Sequence, residues 1–204
     1  MARLSGPDLV WYVSYGSNMR AERFGCYLAG GVPVGATRGY PGCRDPRPPR
    51  AVTGWEMAGG IYFATHSPVW DGGRAFFDPD LPGTTAARAY LVTAGQFADV
   101  ASQEMYREPG VDLDLSEVLA TGRAQLGPGR YETLVHLGDR DGRPALTFTA
   151  PWRAAEVEHT APSAAYLRML ATGLREAHGW DTGRVAAYLA EATPFWSARD
   201  IAAL

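Results

Sequence analysis

WYVSYGSNMRAERF, residues 11–24, decides how the rest of this chain is read. The run LVWYVSY at 9–15 has the β-branched and aromatic content of a buried strand. It stops at Tyr15-Gly16-Ser17-Asn18, and Met19, Phe24, Tyr27 and Leu28 then fall at spacings that predict a short helix over 18–29. A strand therefore runs into a turn of small residues and straight on into a helix. Small residues at such a junction expose backbone N–H groups, and Gly16 lets a ligand approach the backbone closely. Ser17 and Asn18 can cap the helix or donate to a ligand, and the helix start adds partial positive charge. The product is a compact cradle for an anion or carboxylate. The same residues also describe an ordinary capped turn. The turn is too short for a phosphate loop of the GxxxxGK type, and no Lys exists to complete one.

Composition narrows the classes. The 204 residues suffice for one domain with a real core, so a single domain over 1–204 is expected. Net charge is −3, against a general binder of nucleic-acid backbones. No apolar run is long enough to span a bilayer, and the start MARLSGPDLVWYV lacks the apolar block of a signal peptide, so the expected location is cytoplasmic. All 19 basic residues are Arg, which removes Schiff-base Lys chemistry. Two cysteines, Cys26 and Cys43, are too few for a disulfide framework or zinc site. His66, His136, His159 and His178 are scattered without metal-ligand spacing, so no metal or cofactor is expected.

Along the chain, 30–50 is Gly-, Pro- and Arg-rich and reads as a loop, either a solvated connection or an anion-binding rim. Residues 51–92 read as β, with GGIYFATHS, GRAFFD and AARAYLVT as strands separated by turns. AGQFADVASQEMYR has helical spacing, a second helical piece is expected at 114–122, and RYETLVHLGDRDGRPALTFTA is a hairpin about an Asp-Gly turn. Two amphipathic helices follow, one stopped by Gly179 and one capped by Asp181. Strands in the middle and helices at the end give an α+β class, with the sheet expected to curl into a small mixed β-barrel flanked by helices.

For acid–base work the candidate is Glu104, late in a helix with an otherwise apolar face. Partial desolvation there raises a carboxyl pKa toward the range useful for proton transfer. Glu108 lies one helical turn on, and Pro109 ends the helix, so Glu108 is the rival. Neither GxSxG nor GxGxxG occurs.

Taken in order, these motifs resemble the γ-glutamylcyclotransferase family. Tyr15-Gly16-Ser17-Asn18-Met19 resembles its opening loop, and Gly59-Gly60 its Gly-Gly strand. Glu104 stands where the family places its catalytic Glu, Tyr131 in GRY resembles its Gly-x-Tyr, and Pro162-Ser163-Ala164-Ala165-Tyr166 its Pro-Ser-x-x-Tyr. The matches spread from about residue 11 to 190. The resemblance implies an enzyme, a cofactor-free acyl transfer or lyase reaction. The α-amine of a γ-glutamyl amide attacks its own γ-carbonyl, releasing 5-oxoproline and an amine or amino acid. Glu104 would be the general acid/base. Tyr15, Gly16, Ser17, Asn18, Met19, Gly60, Tyr131 and Tyr166 would bind a small-molecule γ-glutamyl substrate. Ring closure is unimolecular, so holding a near-attack geometry does most of the work, and loop N–H groups can stabilise the oxyanion.

The chain departs from the family's pattern where Met105 follows Glu104 and where residues 107–130 read as an insertion. Two other readings stay open: a carboxylate- or amino-acid-binding protein without turnover, and a hydrolase releasing glutamate. Substrate identity and oligomeric state are not encoded in these motifs.

Overall fold

A computed structural model describes residues 7–34 and 39–204. The strands are β1 (Leu9–Ser14), β2 (Ala51–Ala58), β3 (Gly60–Ser67), β4 (Gly72–Asp78), β5 (Thr84–Thr93), β6 (Arg123–Gln125), β7 (Thr133–Arg140) and β8 (Arg143–Thr149). The helices are α1 (Ala21–Ala29), α2 (Ala94–Glu104), α3 (Ser116–Thr121), α4 (Ala164–His178), α5 (Thr182–Glu191) and α6 (Ala198–Ala202). The α+β expectation stands. Among the described residues the pairing gives an open order, β2-β5-β1-β8-β7-β6, and a separate β3-β4 hairpin, in place of the expected closed barrel.

The chain divides into two compact units. The first comprises the described parts of Met1–Val13, Phe24–Val52 and Ala89–Pro151. Here β1 pairs parallel to β8, and β7 pairs antiparallel to both β8 and β6. One face of these strands presents Val10, Tyr12, Leu134, Leu146 and Phe148 to Phe24, Tyr27 and Leu28 of α1 and to Phe97, Val100 and Ala101 of α2. Tyr12 is the hub: its ring lies 5.4 Å from Phe24 and 5.2 Å from Phe148, the latter stacked. Burying these aromatic rings together with the aliphatic side chains around them stabilises the unit.

Helix α2 starts with a reciprocal cap. The Gln96 N–H donates to Thr93 Oγ1 at 3.0 Å, and the Thr93 N–H donates to Gln96 Oε1 at 3.0 Å. The Gln96 amide then donates onward to the carbonyls of Asp45 and Arg47, tying down the Arg-rich loop. Two of that loop's cations are paired within the protein, Arg44 with Asp99 and Asp112 and Arg47 with Asp45. Residues 44–47 are thereby pinned to α2, while 35–38 of the same loop lie outside the described residues.

The second unit comprises Ser14–Arg23, Thr53–Arg88 and Trp152–Leu204. It holds the β3-β4 hairpin and helices α4 to α6. Both cap expectations hold: the Arg184 N–H donates to Asp181 at 2.8 Å, and Gly179 ends α4 in the left-handed region at φ 66°. Gly59, at φ 115°, has the Asp78 carbonyl where a Cβ would stand, 2.7 Å away, so no side chain fits this corner between β2 and β3.

Candidate functional site

In the second unit, the strand-to-helix junction differs from its sequence reading in one respect. Ser17–Met19 forms a single 3-10 turn with Gly16 ahead of it, and α1 begins only at Ala21. Ser17 does not cap. Its hydroxyl accepts from Arg23 Nε at 3.0 Å. The Ala21 N–H, at the helix start proposed for anion binding, donates to Glu176 Oε2 at 3.0 Å. The first N–H of the helix is thus already served by a protein carboxylate. Asn18 and Met19 are buried, and Met19 packs on Gly173 of α4, where any side chain would collide with it.

Tyr166 joins this turn. Gly16 takes φ −107°, open to any residue, and a Cβ there would meet the Tyr166 hydroxyl at 3.5 Å, an ordinary contact distance, so the turn lies directly against that hydroxyl. That hydroxyl accepts from the Ala75 N–H at 3.3 Å, and the ring stacks on Trp70 at 5.0 Å. The Arg23 guanidinium lies over the same Trp70, 5.0 Å from its centroid. Tyr15 is buried against Phe77 at 5.9 Å. Tyr15 to Met19 and Tyr166 therefore come together in one cluster, joined by Arg23 and Trp70, which sequence reasoning did not select. Gly60 begins β3 and has the Leu81 side chain 3.0 Å from where its Cβ would be, a packing contact.

In the first unit, Glu104 is the last residue of α2 and is half-buried. The helix ends there because Met105 turns off as its cap and packs on the core cluster. Glu108 therefore lies outside the helix and is exposed, contrary to its expected place one turn on. Tyr106 takes φ 57° and Tyr131 φ 61°, conformations that side chains larger than Gly adopt at a cost of about 1–3 kcal/mol. Tyr131 packs on the same core cluster as Met105, its ring edge-on to Phe148 at 6.1 Å.

Two contacts close the ends of the 107–130 segment on each other. Arg107 is paired with Glu132, and the Arg130 guanidinium lies over the Tyr106 ring, 4.0 Å from its centroid. The Glu132 carboxylate is buried and also accepts from the Gly129 N–H at 2.6 Å. Gly129 leaves room for it: a Cβ there would stand 2.8 Å from Glu132 Oε2. Behind the segment, buried Asp99 accepts from the backbone and side chain of Arg44 and from the Gly110 N–H at 3.1 Å. Sequence reading missed Glu132, Arg130 and Asp99. Glu132 gave one signal, a carboxylate immediately after the Tyr of a Gly-x-Tyr motif.

Beside this network, Cys43 donates to the Tyr27 carbonyl at 3.3 Å. Burial, and then the charges of Asp99 and Asp45, push its thiol up to about 12. That rules it out as a thiolate nucleophile near neutral pH. Among the described residues no group of three or more His, Cys, Asp or Glu is arranged to hold a metal ion, and no helix is long and apolar enough to cross a membrane.

The whole chain can be set beside known proteins. A solved γ-glutamyl cyclotransferase superposes with a TM-score of 0.53, covering 96% of this chain and 99% of that one at 14% identity. The fold is γ-glutamyl cyclotransferase-like. An uncharacterised human protein of known structure superposes at a TM-score of 0.54, over 97% of this chain and 100% of that one, with 13% identity. In sequence, histone deacetylase 5 of Arabidopsis thaliana is 33% identical over 204 residues, covering 90% of this chain. The chain spans 30% of that protein's length. No family model matches the chain.

Proposed function

We propose that the chain is a γ-glutamyl cyclotransferase, working as a single domain in the cytoplasm on a small γ-glutamyl amide. The observation that carries this reading is the cluster at Gly16, where the missing side chain faces the Tyr166 hydroxyl at 3.5 Å within a γ-glutamyl cyclotransferase-like fold. Two motifs far apart in sequence meet there, which a mere capped turn does not require.

In this reading Tyr15, Gly16, Ser17, Asn18 and Met19 hold the γ-glutamyl unit, with Gly60, Tyr131 and Tyr166 as further substrate contacts. The α-amine nitrogen attacks the γ-carbonyl carbon, a five-membered ring closes, and the amide C–N bond breaks. Two of the ammonium's three protons end on the departing nitrogen. Glu104 carries them, one at a time, as base and then as acid. Its half-buried position at a helix end suits a carboxylate that must change protonation state. Enclosing both reacting ends of one molecule in near-attack geometry accounts for much of the rate, and water has no part in the bond exchange.

The test is product identity. The protein is incubated with glutathione, a γ-glutamyl amino acid and a γ-glutamyl amine, and 5-oxoproline and glutamate are separated by mass spectrometry. 5-Oxoproline is expected, and Glu104→Gln should lower its formation by about 10²–10⁴-fold while Glu108→Gln leaves it near wild type. Glutamate without 5-oxoproline would replace ring closure by hydrolysis. Substrate binding without either product would make the chain a γ-glutamyl-binding protein.

A further inference from the structure

The neck of the 107–130 segment holds two arginines and one buried carboxylate, and only one arginine is paired with it. Arg107 is paired with Glu132, which also accepts from the Gly129 N–H. Arg130 makes no ion pair among the described residues, and its Nη2 is buried with no hydrogen-bond partner reaching it. Buried N–H groups in folded proteins are nearly always paired, because an unpaired one costs roughly 1–3 kcal/mol. The guanidinium is nonetheless fixed in place by the Tyr106 ring 4.0 Å beneath it, and the two turns that carry the pair are set by the positive φ of Tyr106 and Tyr131. A planar, charged, immobilised fork with unused donors matches a carboxylate, which it can take through two parallel hydrogen bonds.

We propose that Arg130 receives a carboxylate carried by the leaving group, so that the chain prefers γ-glutamyl amino acids or peptides to γ-glutamyl amines. The proposal rests on the cyclotransferase reading and adds its specificity. Tyr106, which carries the guanidinium, lies two residues beyond Glu104. In an amino-acid leaving group the carboxyl carbon is two bonds from the departing nitrogen. A group that binds this carboxylate therefore belongs beside the group that protonates that nitrogen. An amine leaving group offers nothing to the unused donors.

The discriminating pair of probes is γ-glutamyl-alanine and γ-glutamyl-ethylamine, identical except for the carboxylate. Rates are measured as 5-oxoproline release, and affinities by calorimetry on both wild type and the Glu104→Gln background. Wild type should favour γ-glutamyl-alanine by about 10-fold or more. Arg130→Gln should lower its kcat/KM and affinity about 10- to 100-fold and leave γ-glutamyl-ethylamine within about 2-fold. Arg130→Lys should recover part of the loss, since it restores charge without the fork. Equal losses on both probes, no loss on either, or no wild-type preference overturns the proposal. So does absence of binding by either probe. If neither probe yields 5-oxoproline but the affinity difference is present and vanishes in Arg130→Gln, the carboxylate assignment stands and the cyclotransferase reading falls.

Discussion

At the turn of Tyr15–Met19 the backbone is relaxed, and the parts around it are engaged with one another. Gly16 sits in a region open to any residue, Ser17 is held by Arg23, and the start of α1 is served by Glu176. At the neck, residues 104–107 and 129–132, the backbone is costly at Tyr106 and Tyr131, and a guanidinium nitrogen is left without a partner. The neck holds side chains in place by spending conformational energy, the pattern expected where a charged group must wait for a ligand.

The largest structural effect that tests this contrast comes from Glu132. Glu132→Ala removes the buried acceptor of the Gly129 N–H and the partner of Arg107. Hydrogen bonds to a charged group contribute about 1.5–3 kcal/mol, so a loss of about 2 kcal/mol is expected, lowering Tm by about 4–8 °C. Thermal unfolding followed by circular dichroism measures it. An unchanged Tm would mean that the neck is held by something other than this carboxylate, and its contrast with the turn would lose its basis.

A smaller effect is expected in the second unit. Tyr166→Phe keeps the ring on Trp70 but deletes the hydroxyl that accepts from the Ala75 N–H and faces Gly16. One neutral hydrogen bond is worth about 1 kcal/mol, so Tm should fall by about 2–4 °C. The sharper readout is substrate discrimination. On the proposed function, in which Tyr166 contacts the γ-glutamyl unit that the two probes share, the variant should weaken γ-glutamyl-alanine and γ-glutamyl-ethylamine alike. A selective loss on one of them would overturn that role for Tyr166.

Much of this was legible in the sequence where local chemistry decides the outcome. The first strand, the capped start of α5, the Gly179 stop and the hairpin about Asp141-Gly142 all follow from short-range rules, and all appear. The short elements did not announce themselves. β6 has three residues and exists through its pairing with β7, and α6 is a five-residue helix begun by Ser197. Closing a barrel is likewise a question of long-range pairing, and the expected closure is absent from the open strand order. The site divided in the same way. Motif residues were visible, whereas Glu132, Arg130 and Asp99 matter through partners 11 to 55 positions away that no local pattern encodes. Helix termination at Glu104 was missed by one turn because Met105 is drawn into the core before Pro109 can act.

The smallest effect tests the support behind the neck, where Cys43 lies against the Asp99 network. Its thiol is raised from 9.0 to about 12 by burial and by the charges of Asp99 and Asp45. A group whose folded pKa is raised holds its proton more tightly in the native state. Its contribution is therefore fully present below pH 9 and is lost as pH rises toward 12, where the unfolded thiol ionises and the folded one does not. Tyr188, raised by burial to about 12 in the second unit, acts in the same sense over a similar range. The two are separated by a variant: stability of wild type relative to Cys43→Ala should be constant up to about pH 9 and decline from there to about pH 12. Iodoacetamide should modify Cys43 slowly in the native protein at pH 8 and readily after denaturation, because the thiolate is the reacting form. Rapid native modification at pH 8 would mean that the loop bearing Cys43 opens from α2 far more often than its bonds from Gln96 and to Asp99 suggest. Asp99 would then be no fixed support for the segment that follows Glu104.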